Sequence, residues 1–230
     1  MNIRLLAFAS AGDALGATEM DLEMPEGSRI ADLRARLDAD HPKLQPLWPR
    51  LAVALNGRVV TPDEPLTPGA EVALLPPVSG GSGHPSDRRA DLVDESIDTD
   101  AVVATVAGPG RGAVLIFLGT VRDSHGGRGV EKLTYSAYRK MALEGLERIV
   151  ADLEASSPGL RAAIVHRLGE VPVGEASVVI AVASPHRAAA YEANRTALER
   201  LKTEIPIWKR EHYTEGPAVW REEEPLVPLG

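Results

Sequence analysis

Residues 71–81 read EVALLPPVSGG. Glu71 to Leu75 have strand composition, and Pro76-Pro77 end the strand because proline cannot donate to a ladder. Four residues later the chain reaches a bare Gly80-Gly81. From Ser82 to Leu92 there is Gly, Ser, Pro and charge without apolar periodicity, which is a linker by composition. The Gly pair has two readings. It is part of a Gly/Ser linker, or it is the carboxyl end of a small domain still joined to a second one. Glycine has no Cβ, so such a tail can thread a narrow channel and present its carboxylate to another enzyme. Either way the boundary falls here: a domain over 1–81, a linker over 82–92 and a larger domain over 93–230.

Upstream, residues 2–9 alternate loosely and predict a strand. TEMDLEM (18–24) alternates cleanly, with Met20, Leu22 and Met24 on one face. Ser28 is the expected N-cap of a helix carrying Ile30, Leu33 and Leu37 at helical spacing. LAVALNG (51–57) predicts a strand ending in an Asn-Gly turn. Strand, strand, helix, strand, strand in this order predicts a small α+β unit, one helix packed on a mixed sheet.

Downstream, GAVLIFLGTV (112–121) predicts a buried strand and VEKLTYSAY (130–138) an alternating one. Met141, Leu146, Ile149, Val150 and Leu153 mark an amphipathic helix ended by SSPG. RAAIVHRLG and ASVVIAVAS predict two strands joined by EVPVGE. Ser184-Pro185 predicts a helix start, Ser as N-cap and Pro at the first helical position. That helix continues through Ala189, Leu198 and Leu201 to about Thr203; Pro206 stops it, and PIWKREHY is extended. The fold class expected for the chain is α+β.

Composition narrows the chemistry. The 230 residues include no cysteine, which excludes a Cys nucleophile, Cys-based zinc sites and iron–sulfur ligation. Six histidines are scattered without a metal-binding spacing, so neither metal nor cofactor is expected. A net charge of -8 argues against a general nucleic-acid binder. There is no apolar run of bilayer length, so no membrane span is expected. The apolar core of MNIRLLAFASAG is too short for a signal peptide and reads as a first strand. With the missing cysteines, this sets a cytoplasmic expectation.

A few cations stand in suggestive places. Arg122 follows a strand in IFLGTVRDSHGG. His186 and Arg187 open a predicted helix, where free N–H groups and the dipole favour an anion. An Arg there is slightly unfavourable for the helix itself, which adds weight to a functional role. Lys202 lies at that helix's end, where a Lys is ordinary dipole compensation. Lys209 and Arg210 come next, on the extended segment. Each of these also has an ordinary reading as a solvated surface charge. GPGRG (108–112) suggests a phosphate loop but lacks the Lys-Ser/Thr of a P-loop.

In sequence, EVALLPPVSGG, together with LAVALNGRVV and DEPLTPGAEV, resembles the small subunit of molybdopterin synthases, a ubiquitin-like sulfur carrier. This implies a β-grasp fold over 1–81. It implies that Gly81, after Gly80, is adenylylated by an E1-like adenylyltransferase and converted to a thiocarboxylate with sulfur from a donor. FLGTVR, RLGEVPVGEASVVIAVASPHR and LKTEIPIWKRE, and more loosely YSAYRKMA, resemble the large subunit over roughly 93–222. Ser136 departs from that pattern, which commonly has an acidic residue there. This second resemblance implies an α/β hammerhead-type domain, a homodimer through that domain, and cyclic pyranopterin monophosphate as substrate. It implies Arg122, His186 and Arg187 as anion-binding residues, Lys202 as the catalytic lysine, Lys209 as substrate-binding and charge-stabilising, and Arg210 as a weaker candidate. A thiocarboxylate needs a free carboxyl group, so the fusion implies a protease cutting after Gly81. The alternative is an uncleaved scaffold or regulatory binding protein in which Gly80-Gly81 is a hinge.

Overall fold

A computed structural model describes residues 1–76 and 89–221. The chain divides into two compact units. Gly80, Gly81 and the linker up to residue 88 lie outside the described residues.

The first unit runs β1 (Asn2–Ala7), α1 (Ala9–Leu15), β2 (Glu19–Glu23), α2 (Ile30–Asp40), a 3₁₀ helix (Pro42–Arg50), β3 (Ala52–Leu55), β4 (Arg58–Val60) and β5 (Glu71–Leu75). Its sheet has the order β2-β1-β5-β3-β4. Strands β1 and β5 are parallel, with Leu5 opposite Val72, and the other pairs are antiparallel. This is the β-grasp arrangement. Ile3, Leu5 and Ala7 alternate inward on β1 and meet Leu33 and Leu37 of α2, with Leu44 and Trp48 of the 3₁₀ helix. The strand expected over residues 2–9 ends at Ala7, because Ala9 begins a short helix folded back on it. A Cβ at Gly12 would lie 2.9 Å from the Ala7 carbonyl oxygen, so glycine permits this return. Ser28 is not the cap of α2. The cap is Arg29, whose N–H donates to the Asp32 carboxylate at 2.7 Å, while the Ser28 carbonyl accepts from Leu66 N–H. Asn56 and Gly57 have φ of 50° and 87°, as a two-residue hairpin turn requires.

The second unit runs β6 (Ala90–Val93), α3 (Thr99–Val106), β7 (Ala113–Thr120), β8 (Ser124–His125), β9 (Arg128–Ala137), α4 (Arg139–Ser156), β10 (Arg161–Arg167), β11 (Gly169–Pro172), β12 (Ala176–Ser184), α5 (Arg187–Glu204), β13 (Ile207–Tyr213) and β14 (Val219–Arg221). One sheet has the order β6-β10-β12-β7; the other has β11-β9-β13-β14, with β8 paired to β9. Helices α4 and α5 bury Leu146, Ile149, Ala193 and Leu201 against one face of the first sheet. The short α3 buries Val102 and Val106 against the other.

Four sequence expectations change here. Ala90 to Leu92, assigned to the linker, belong to β6, which pairs in parallel with β10. EVPVGE is not simply a connection, because Gly169–Pro172 pair with β9 as β11. The stretch predicted as a buried strand is β7, an edge strand with one covered face. Leu115 and Phe117 point into the core, whereas Val114, Ile116 and Leu118 are 40%, 47% and 47% exposed. Ser184 is also displaced from its expected role: it pairs with Ala113 in the β12 ladder, so the helix cap moves to His186.

Candidate active site

Strand β13 carries Lys209 between β9 and β14. Lys209 lies opposite Tyr135 on one side and Arg221 on the other. Arg210 lies opposite Thr134 and Trp220. Opposed residues share a face and successive residues alternate, so Lys209 and Arg210 serve opposite faces. The Lys209 face also carries Leu133, Glu211 and Tyr213. Arg210 sits with its guanidinium carbon 5.6 Å from the Trp220 ring centroid, and its buried Nε has no hydrogen-bond partner. It is therefore separated from the Lys209 surface.

Glu211 anchors that surface. It is 4% exposed, and its carboxylate accepts from the Tyr213 hydroxyl at 2.6 Å and from Arg221 Nε at 3.1 Å. His125 Nδ1 lies 2.7 Å from its other oxygen. Arg221 also donates to the Tyr213 hydroxyl at 2.7 Å, and Arg128 stacks 3.5 Å above the Tyr213 ring. Burial alone would push the carboxyl up; the bonds from Tyr213, His125 and Arg221 outweigh it and hold it below the usual carboxylate range. A fixed anion thus holds a wall of cationic and aromatic groups around β13.

The chain reaches Arg122 beside the same sheet. It follows Val121, which is buried with Val130, Val171 and Tyr213 against Leu133 and Tyr135. The backbone is held there by Val121 N–H donating to Glu175 O at 3.0 Å and Gly174 N–H donating to Val121 O at 2.8 Å. Arg122 is exposed and makes no ion pair among the described residues.

Helix α5 carries the remaining candidates. His186 is its cap, Arg187 its first residue, and Lys202 lies in its last turn. Leu201, Ile205 and Ile207 are buried in one core, so the corner from α5 into β13 is fixed and Lys202 leaves it at the Lys209 end. Arg187 lies at the opposite end, about 22 Å away at 1.5 Å per residue. At 100° per residue, Arg187, Tyr191, Arg195, Leu198 and Lys202 fall within an arc of about 80°. Tyr191 is 64% exposed. Arg187, Arg195 and Lys202 have no ion pair among the described residues, in contrast to Arg200, which pairs with Asp152 at 2.9 Å and Glu204 at 2.5 Å. Lys202, leading into the strand of Lys209, lies at one end of α5, and His186 and Arg187 lie at the other.

The sequence reading missed Glu211, Tyr135 and Arg221. Glu211 was within reach, because it stands two residues from Lys209 on an extended segment and so shares its face. Among the described residues no cluster of His, Asp and Glu is placed to hold a metal, and no helix is long and apolar enough to cross a membrane.

Comparison with known proteins finds two families along the chain. A ThiS family profile matches residues 5–81, and a profile described as MoaE protein matches residues 92–204. Over 129 residues, 56% of this chain and 87% of the relative, the chain is 43% identical to molybdopterin synthase catalytic subunit 1 of Mycobacterium tuberculosis. It is 44% identical over 128 residues to the molybdopterin synthase catalytic subunit of Bacillus subtilis, of which it covers 82%. The crystal structure of molybdopterin synthase from Staphylococcus aureus superposes with a TM-score of 0.57 at 37% identity, covering 60% of this chain and 100% of that one. With its cationic β13 surface and a β-grasp unit ahead of it, the chain belongs to the MoaE family of molybdopterin synthase catalytic subunits, fused to an N-terminal ThiS-family domain.

Proposed function

We propose that this chain is a molybdopterin synthase carrying its own sulfur carrier. The carrier, released by cleavage after Gly81, would deliver sulfur from a Gly81 thiocarboxylate to cyclic pyranopterin monophosphate. Two sulfurs form the dithiolene, the cyclic phosphate opens, and each spent carrier returns to a carboxylate. The observation that supports this reading is two exposed cations without an ion pair among the described residues, Lys202 in the last turn of α5 and Arg122 just after β7, in a chain that also holds a β-grasp unit.

An anionic pterin suits these groups. Arg122 binds phosphate or ring oxygens by charge-assisted hydrogen bonds. Lys209, fixed in the centre of a sheet beside Tyr135 and Arg221, binds substrate and stabilises charge as it develops. Lys202 serves as the acid/base or transient amine. His186 and Arg187 complete the site from a second copy of the chain. The edge position of β7 supports that dimer, since an eight-residue strand with three exposed apolar side chains is a template for pairing. Helix α5 packs on the covered face of the same strand, so pairing at β7 brings two copies of α5 together. An E1-like adenylyltransferase, a sulfur donor and a protease are the further partners this cycle needs.

The test is reconstitution. A carrier ending at Gly81, thiocarboxylated and mixed with residues 82–230, is expected to make molybdopterin from the cyclic substrate. Full-length chain made uncleavable at Gly81 is expected to make none. Normal turnover by the uncleavable chain would overturn the cleavage reading. Recovery of only full-length chain from native cells would favour an uncleaved scaffold.

A further inference from the structure

The two sheets of the second unit are joined by hydrogen bonds beside the candidate site. Strand β12 shifts register where it leaves β7: Ala176 faces Thr120, Val178 faces Gly119, and Ser177 between them is an unpaired bulge residue. Bulges re-aim a side chain. Here the Ser177 hydroxyl, buried at 5% exposure, donates to the Gly119 carbonyl at 3.0 Å and accepts from the Tyr135 hydroxyl at 3.2 Å. A hydroxyl offers one donor and two acceptor positions, so Ser177 holds both bonds at once.

The ends of this path are informative. Tyr135 lies on β9 in the other sheet, directly opposite Lys209. Gly119 lies on β7, three residues before Arg122. A Cβ at Gly119 would sit 2.6 Å from Val178 Cγ1, so a side chain there would have to displace Val178 at the bulge. The Tyr135 ring is fixed from behind by His166, edge to face, with centroids 4.9 Å apart. His166 is fully enclosed, and burial lowers it to about 4, so it is a neutral ring near pH 7. Its Nδ1 is held 2.8 Å from the Arg167 carbonyl. Burial likewise pushes the Tyr135 phenol up, which keeps it a donor.

We propose that Tyr135 and Ser177 are positioning residues: their hydroxyls form a strut to the Gly119 carbonyl that sets Arg122 against Lys209. The proposal rests on the reading of Arg122 and Lys209 as one anion site. Neither hydroxyl acts on the substrate. Beyond Arg122 the chain is held to the Lys209 sheet by Val130 N–H donating to Asp123 O at 2.7 Å and by β8. Before it, among the described residues, the strut joins side-chain packing at Val121 and the backbone bonds of the 172–175 turn in tying the end of β7 to that sheet.

The experiment uses Tyr135→Phe, which keeps the ring and removes one oxygen, and Ser177→Ala. Each is measured in the cleaved, thiocarboxylate-loaded enzyme with cyclic pyranopterin monophosphate, alone and combined with Arg122→Ala. Each single variant is expected to raise KM about 3- to 10-fold, the range for one lost hydrogen bond, with a smaller change in kcat. In the Arg122→Ala background neither is expected to raise KM further, because the group they position is gone. A purely structural role would give the same fold-change in both backgrounds, and that result overturns the proposal. Amide hydrogen exchange is the second readout: residues 120–123 are expected to exchange faster in Tyr135→Phe while α4 is unchanged. Unaltered exchange at 120–123 also overturns it. If the wild-type enzyme makes no molybdopterin, the functional reading fails, and the exchange result still decides whether the strut holds this segment.

Discussion

The span of α5 makes a numerical prediction about the site. Arg187 and Lys202 occupy opposite ends of one 18-residue helix, fifteen residues and about 22 Å apart. Helical side chains lean toward the N-terminus, so Lys202 recovers a few ångströms of this and no more. A single pterin touching both is best served by two antiparallel copies of α5 related by a two-fold axis, each pocket taking Lys202 from one copy and Arg187 from the other. Mixing Lys202→Ala with Arg187→Ala in equal amounts, under conditions that exchange subunits, then gives mixed dimers in about half of the population. Each mixed dimer has one pocket with both defects and one with neither. Activity should therefore rise from near zero in each parent to about a quarter of wild type. The assay is molybdopterin formation with thiocarboxylated carrier in excess, with mixed dimers counted by tagging the two variants differently. If mixed dimers form and remain as inactive as the parents, Arg187 and Lys202 belong to one chain's pocket and the shared site is wrong.

Single residues carry the other predictions. Lys202→Ala is expected to remove most turnover while changing stability by less than about 0.5 kcal/mol, as exposed substitutions do; near-normal turnover would take Lys202 out of the chemistry. Glu211→Gln leaves Arg221 facing a neutral group and weakens three hydrogen bonds, so about 2–4 kcal/mol of stability should be lost in calorimetry, and a change within about 0.5 kcal/mol would mean the network carries little. His166, lowered from 6.5 to about 4 by burial, binds its proton less readily folded than unfolded. Its contribution to stability is complete above the unfolded value and is lost as pH falls from about 6.5 toward 4, with a slope of at most about 1.4 kcal/mol per pH unit. In His166→Gln that part of the pH–stability curve should flatten, and an unchanged slope would show that other groups set it.

The sequence disclosed what local rules control. Met20, Leu22 and Met24 share a face of β2, Asn56-Gly57 make the turn their dihedral needs demand, and the apolar spacings of α4 and α5 are helices as read. It concealed what neighbours decide. Ala9–Leu15 is short and apolar enough to continue β1, and only packing on that strand makes it α1. Pro46 and Pro49 lie inside a 3₁₀ helix that Pro42 begins, with Trp48 Nε1 donating to Asp38 at 2.5 Å. The apolar run of β7 gave no sign of which face would be left open, because that depends on where α3 stops. Lys209 and Arg210 were placed in one group by adjacency, although a strand separates neighbours. The bonds around Glu211 join β8, β13 and β14, and those around Ser177 join three strands of two sheets. No spacing within a single segment encodes them.

The parallel pairing of β1 with β5 has a mechanical consequence. These are the first and last strands of the ThiS-family unit, and they lie side by side in the middle of its sheet, with β3 on the far side of β5. Traction applied to the chain beyond Leu75 acts along the axis of β5. It loads the ladders to β1 and β3 in shear, so their bonds must give way together and cannot peel one at a time. The unit can therefore be drawn taut from Leu75 without unravelling. In a force-extension measurement between its first residue and Leu75, this unit should rupture as a single high-force event, whereas pulling across the β3–β4 hairpin should open it gradually.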